Sequence, residues 1–379
     1  MPHAPGRDGT TMTNIIQKAP ETMDAKTRTR KTFNLEKTDR VTIGYEANDA
    51  IHMRFSKALG IPDGNMELVY QALGVDYRGL PMKYIGPQLF PDPGDGKRVD
   101  PVDGYNMRWS QNESGGYWDF CDFPLKDAED EQFYSFPVPN PDHFDYQLAY
   151  DYAKACDKYA VYIGSPGFPD ILNGNGRLMG MEDIYCNLAV GHEAAIAFIN
   201  RRAAMQLGFA ERILDKCKGL VDFVWMGEDL GTQIAPIIGL ELYRKYLRPL
   251  QQKFVDLAKS YDLPVIVHTC GSSSWVYEDF IEMGIRGVDT LQPEAVNMSP
   301  AYLKEKFGTR LCFRGCISTA GPLAYGTADE VTQVCRETLD IMMDGYGYHF
   351  APTHLIQDNS PTENVIAMYN AAHRYGIYK

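Results

Sequence analysis

Six times after residue 146, a short apolar run stops abruptly at small or polar residues. The runs are AVYIGSPG from Ala160, VDFVWMGEDLG from Val221, PVIVHTCG from Pro264, GVDTLQPE from Gly287, RLCFRGCIS from Arg310 and YGYHFAPTH from Tyr346. Apolar runs of this length, bounded by Pro and Gly, read as strands buried on both faces. Helical pattern fills the intervals, at 146–158, 183–199, 202–219, 240–261 and 275–283. An amphipathic helix at 361–375, with Val365, Met368, Ala372 and Tyr375 on one face, closes the chain. Strands alternating with helices imply a parallel sheet covered on both sides. RVTIGY (40–45) supplies a further strand, and the Pro-, Gly- and aromatic-rich stretch from 74 to 145 has room for an eighth. The economical architecture is a (β/α)8 barrel with an elaborated, loop-rich N-terminal region. A doubly wound sheet would call for a glycine fingerprint directly after its first strand, and none stands there. NGNGRLMG (173–180) has the wrong spacing for one and reads as a turn.

A chain of 379 residues with 44% hydrophobic side chains can bury one barrel-sized core. The expected division is a flexible tail over 1–38, carrying the basic run Lys26, Arg28, Arg30, Lys31 and Lys37, followed by a single barrel domain over 39–379. A net charge of −13 argues against a nucleic-acid binder, since such binders neutralise phosphates. No apolar run approaches the length of a membrane span. The opening MPHAPGRDGTTMTN lacks the apolar core of a signal peptide, so a cytoplasmic location is expected. Most of the eight cysteines read as reduced, buried thiols. The aromatics Trp109, Tyr117, Trp118 and Phe120 read as anchors of a small sheet, with a pocket-lining role as the alternative.

In a barrel, the carboxyl ends of the strands carry the chemistry. The polar residues there are Glu228, Asp229, His268, Cys270, Gln292, Cys316 and His354. His268 and Cys270, two apart in an extended segment, point to one side, and imidazole and thiolate are both good zinc ligands. A third ligand would leave an open position, as catalytic zinc requires. Both Cys316 and His354 qualify by position. Glu228 and Asp229 are candidates for proton transfer or for supporting the ligands, and adjacent carboxylates on a strand face opposite ways. His52, His143, His192, His349 and His373 read as packed or solvated.

From Val221 to the end, the stretches GEDLGTQ, HTCG, EMGIRGVDTLQPE, LKEKFGTRLCFRGCIST, GPLAYGTADEV and APTHLIQDNSPTENVIAMYNAA resemble the uroporphyrinogen decarboxylase superfamily. DRVTIGYEANDAIHMRFSKALGI resembles its opening. The resemblance implies a (β/α)8 barrel. No RQAGR-like segment for gripping porphyrinogen carboxylates is present, so the likeness points to the zinc- and corrinoid-dependent methyltransferase branch. There His268 and Cys270 match a His-x-Cys zinc pair, and His354 stands in the late turn that supplies the third ligand, with Cys316 as competitor. The implied activity is methyl transfer between a small methylated substrate, such as an O-methyl ether, and a corrinoid. That corrinoid would be carried by a partner protein, because this chain lacks an Asp-x-His-x-x-Gly signature of its own. A homodimer is the assembly left open. The rival readings are a metal-free decarboxylase-like lyase using His354 and Asp229, and a non-catalytic tetrapyrrole- or corrinoid-binding protein.

Overall fold

The computed structural model describes residues 15–92, 94, 97–112 and 115–379. Eight parallel strands form one curled sheet. In chain order they are β1 (Thr42–Ile43), β2 (Tyr77–Gly79), β6 (Ala160–Gly164), β7 (Phe223–Gly227), β8 (Val265–His268), β9 (Gly287–Leu291), β10 (Cys312–Ile317) and β11 (Tyr348–Pro352). Across the sheet the order is β1-β11-β10-β9-β8-β7-β6-β2. The two ends meet at Asp76. Its N–H donates to Ile43 O at 3.0 Å, its Oδ2 accepts from Ile43 N at 2.7 Å, and its own carbonyl accepts from Ala160 N. The sheet is thereby closed into a (β/α)8 barrel, as the alternation of strand and helix predicts. The eighth strand is β2, inside the loop-rich region.

The apolar side chains divide into two cores. The larger lies between the sheet and the outer helices. The smaller fills the barrel interior with Tyr77, Ala160, Phe223, Trp225, Ile266 and Cys312, sealed from below by Phe33. Phe33 ends the helix Ala25–Phe33, capped by Asp24, which packs across the amino-terminal end of the barrel. Residues 25–33 therefore depart from the flexible tail expected over 1–38, whose first fourteen residues lie outside the described ones. The basic run is the reason. Arg28 pairs with Asp39 at 2.7 Å and Asp76 at 2.6 Å, while Lys26 and Arg30 pair with Asp222. Charges that look like a solvated tail are the face by which the helix docks onto buried carboxylates.

The elaborated region holds a small antiparallel sheet of β3 (Arg98–Val99), β4 (Asn106–Asn112) and β5 (Gly115–Phe120). Trp109, Tyr117 and Trp118 lie on it, exposed. Its base is tied to the barrel by Arg202, which donates to Asp103 and Tyr105, and by Arg177 stacked on Phe120. The stretch read as a turn at 173–180 is instead mostly helix, Ile171–Met179. Its glycines are tolerated because Gly174 and Gly176 are buried against neighbours, where packing outweighs their weak helix propensity.

Candidate metal centre at the barrel mouth

The strand β8 delivers His268 at its last position and Cys270 two residues later. The chain then turns at Gly271, whose φ of +69° and contact with Gly231 leave no room for a side chain. Gln292 accepts the Gly271 N–H at 2.7 Å and fixes the turn. His354 follows β11 and reaches in from the other side of the mouth. One ligand atom from each of His268, Cys270 and His354 lies within 4.8 Å of the other two. Cys270 Sγ is 3.5 Å from His268 Nε2, close to the roughly 3.5 Å that separates a sulfur and a nitrogen on tetrahedral zinc.

The other face of His268 is held. In the register of β8 and β9, Asp289 stands beside His268. Its Oδ2 is 3.0 Å from Nδ1, and Thr290 Oγ1 lies against both ring nitrogens, 3.1 Å from Nε2. An Nδ1–H committed to oxygens leaves the Nε2 lone pair for a metal, the arrangement that zinc-bound histidines typically show. Asp289 is in turn paired with Arg314 at 2.6 Å, and Arg314 reaches Glu46 at 3.2 Å and Tyr77 Oη at 2.9 Å. All of these except Glu46 are buried.

The electrostatics follow from this packing. Burial would raise the Asp289 carboxyl, but the Arg314 charge and the His268 hydrogen bond outweigh it and hold the group near 2. Burial would lower His268, yet the bond to Asp289 and its charge raise it. Burial and the neighbouring His268 lower His354, keeping its imidazole neutral and able to ligate. The Cys270 thiol is pushed up by burial and by Asp229. Without a cation beside it the thiol keeps its proton, so the pocket favours a thiolate only when a metal compensates.

The two adjacent carboxylates have separate surroundings. Asp229 faces the trio: Oδ1 accepts from Cys270 N at 2.8 Å and lies 3.9 Å from His268 Nε2, while Oδ2 accepts from Asn173 at 2.9 Å. Burial would raise it, but His268 and the Cys270 N–H hold it below the usual range. Glu228 turns away, fully buried, and accepts the N–H groups of Ile171 and Leu172 at the start of the helix Ile171–Met179. Burial and the nearby Asp170 push it well above the ordinary range. Asp170 is itself raised to about 6, by burial and by Asp229 against the pull of Arg177.

Cys316 stands apart. Strand alternation from Cys312 and Arg314 would aim it into the barrel. Gly315 at φ +111° and Cys316 at +67° turn the backbone instead. The thiol ends in the outer core, in the same apolar cluster as Tyr277 and Tyr348. His52 and His373 bond to backbone carbonyls, His192 caps a helix, and His349 is buried against Thr42 and Phe33.

Asp289, Thr290 and Arg314, which support the His268 side of the trio, are residues that strand-end reasoning passes over. The available signal is a charge inside an apolar strand, Asp in GVDTL and Arg in LCFRGC, since buried charges require partners.

A cavity of about 210 Å³ is linked to this centre through Arg314 and Asp289; it is lined by Tyr45, Tyr70, Tyr77, Tyr162, Trp225, Glu46 and Arg314, with the apolar Ala47, Met66, Val75 and Leu355. The exposed aromatics of the small sheet are not part of its wall.

Residues 221–375 match the family model described as uroporphyrinogen decarboxylase (URO-D). Over 233 residues the chain is 23% identical to the methylcobamide:CoM methyltransferase MtbA of Methanosarcina acetivorans, and over 237 residues it is 22% identical to the MtbA of Methanosarcina mazei. Each match covers 60% of this chain and 61% of the relative, so the chain spans about three-fifths of the length of these relatives. A solved methyltransferase from Methanosarcina mazei superposes over 92% of this chain and 98% of its own, with a TM-score of 0.63 at 16% identity. That likeness bears on the fold. Among the described residues, no helix is long and apolar enough to cross a membrane.

Proposed function

We propose that this chain, which carries a URO-D family domain over 221–375 and resembles the methyltransferase branch of that superfamily, is a zinc-dependent methyltransferase. It would move a methyl group between a small methylated substrate and a corrinoid carried by a partner protein. The observation that carries the reading is the His268, Cys270 and His354 trio, with Asp289 holding Nδ1 of the first histidine. The donor set fits zinc: two imidazoles and one thiol, a carboxylate orienting one imidazole, and a second imidazole kept neutral. When bound, zinc supplies a Lewis acid for the heteroatom that bears the methyl group, or lowers the pKa of an accepting thiol.

The chain's own residues do the rest. Asp289 and Thr290 fix the imidazole plane of His268. Asp229, held ionised, receives the Cys270 N–H and stands ready to take a proton at its carboxylate oxygen. Glu228 organises the first turn of Ile171–Met179, and that helix brings Asn173 to Asp229. The proton-donor role weighed for Glu228 suits Asp170 better by position, because Glu228 is tied to two backbone N–H groups. Asp170 accepts the N–H of Asn173 at 3.1 Å, and the Asn173 side chain reaches Asp229.

The size of the cavity favours a small substrate over a tetrapyrrole. A cavity of about 150 Å³ holds one benzene-sized ring, so 210 Å³ matches one ring with short substituents, and four pyrroles would have to project out of its open side. The test is elemental analysis of wild type and His268→Ala. About one zinc per chain in the wild type, lost in the variant, supports the reading. Protein purified without chelator and free of zinc overturns it.

A further inference from the structure

We infer that the cavity linked to the trio is a subsite for one hydroxylated or methoxylated aromatic ring, with Glu46 accepting a hydrogen bond from a ring hydroxyl. This deepens the methyl-transfer reading and rests on it for the role of the bound ring, though not for the binding itself.

Three features of the wall select this ligand. The first is size. About 210 Å³ takes a single six-membered ring with one or two short substituents, against about 150 Å³ for bare benzene. The second is the lining: Tyr70, Tyr77, Tyr162 and Trp225 present ring faces and edges, and aromatic pairs gain from offset or edge-to-face contact beyond area alone. The third is charge. The wall holds one cation and one carboxylate, and the cation is spent. Arg314 donates to Asp289, Glu46 and Tyr77, and its guanidinium lies 4.4 Å over the Trp225 ring. Arg78 covers the Tyr70 ring in the same way at 4.6 Å.

A quaternary ammonium would have to share the Trp225 face with the Arg314 guanidinium, and the two like charges repel. An anion would find Arg314 neutralised by two carboxylates. Glu46 is different. Its Oε2 receives one bond from Arg314 at 3.2 Å, and its other oxygen accepts none among the described residues. A partly exposed carboxylate with a free acceptor, in a wall whose uncharged members are five aromatic and four apolar side chains, calls for a neutral ring bearing an O–H donor. The cavity is also linked to the chemistry, since Glu46, Arg314, Asp289 and His268 form one continuous hydrogen-bonded chain.

The experiment is calorimetric titration of the full chain, both zinc-loaded and metal-stripped, with 2-methoxyphenol, methoxybenzene and tetramethylammonium. Both aromatics should bind saturably with or without zinc, 2-methoxyphenol about tenfold more tightly. Glu46→Gln should abolish that preference while leaving methoxybenzene affinity unchanged, which also shows that the variant folds. Tyr162→Phe should weaken neither ring by more than twofold. Failure of both aromatics to saturate, or tighter binding of tetramethylammonium than of either, overturns the assignment. So does a preference for 2-methoxyphenol that survives Glu46→Gln. Ring binding by protein that, purified without chelator, holds no zinc would sink the proposed function and leave the subsite standing. Zinc in the trio without ring binding would do the reverse.

Discussion

Asp289 and Thr290 are consecutive in β9, yet both place an oxygen against the His268 imidazole, Asp289 at Nδ1 and Thr290 against both ring nitrogens. Neighbours in a regular strand face opposite ways. Here the register with β10 slips, so that Val288 pairs with Phe313 but Leu291 with Gly315. Two residues of β9 therefore stand opposite Arg314 alone, which is a β-bulge. Thr290 takes φ +61°, a strained value for a β-branched residue. Strain of this kind persists where the surroundings enforce it. The bulge turns a structural irregularity into a contact of two consecutive residues with the His268 imidazole.

Asp289→Asn is the direct test of that contact. The isosteric amide keeps the shape but loses the charge that orients His268 and balances Arg314. Zinc affinity, measured by competition with a chromophoric chelator, should fall by about 10–100-fold, the usual cost of removing such a partner. Thr290→Ala should cost less, because Asp289 still holds Nδ1. Unchanged affinity in Asp289→Asn would mean that the imidazole is positioned by packing alone.

The barrel was legible in the sequence because every strand of its second half announces itself by an apolar run with a sharp polar end. The trio was partly legible for the same reason, since His268 and Cys270 share a run and His354 closes another. What the pattern cannot convey is backbone rotation. Alternation puts Cys316 inside the barrel, and two consecutive positive φ angles take it out. Nor does a list of strand ends reach Asp289, which sits mid-strand and gains its meaning only from the bulge and from Arg314 one strand away. The basic run at 26–31 misleads for a related reason. Two of its partners, Asp76 and Asp222, are distant in sequence and invisible to local composition.

The competing ligand assignments separate cleanly by mutation. Cys270→Ala should lose zinc and methyl transfer while its melting temperature in the metal-free state stays within a few degrees of wild type, since Cys270 lies in a half-buried turn. Cys316→Ala should keep full zinc and lose about 1 kcal/mol of stability, for one heavy atom removed from a packed core. Elemental analysis and thermal denaturation read both. Loss of zinc in Cys316→Ala, with retention in Cys270→Ala, would reverse the assignment.

Glu228 and Asp229 should answer substitution differently despite being adjacent. Glu228→Ala strands two buried N–H groups at the start of Ile171–Met179, so it should destabilise the chain by about 2–4 kcal/mol. Its zinc content should be unchanged. Asp229→Asn still offers an oxygen to Cys270 N–H, so stability should move by less than about 1 kcal/mol. Turnover should fall at least tenfold, because the carboxylate facing the trio is gone. Denaturant titration and single-turnover rates distinguish the two. Equal effects on both readouts would refute a division of labour.

Acid sensitivity should come in two stages with different origins. His349 and His373 are buried, and burial lowers them to about 3 and about 4, with Arg314 adding to the effect on the first; on the second, Arg40 adds and the Leu73 hydrogen bond opposes. Between the ordinary histidine value of about 6.5 and those lowered values, the unfolded chain binds protons that the folded chain does not. Stability therefore falls as pH falls, by about 1.4 kcal/mol per pH unit for each such group. The second stage belongs to Asp39 and Asp289, both held near 2 against the raising effect of burial, Asp39 by Arg28 and Asp289 by Arg314 and His268. Their contribution is complete above the unfolded carboxyl value of about 3.9 and is lost as pH drops through 2. In denaturant midpoints of metal-free protein, His349 and His373 should each add about one proton to the slope below pH 6, while Asp170 and Glu228, raised in the folded chain, oppose it. His349→Gln, which keeps a polar partner for Thr42 but cannot titrate, should lower the slope by about one proton. A slope unaltered by His349→Gln would show that His349 is protonated in the folded chain, and the packing of Phe33 against it would need another explanation.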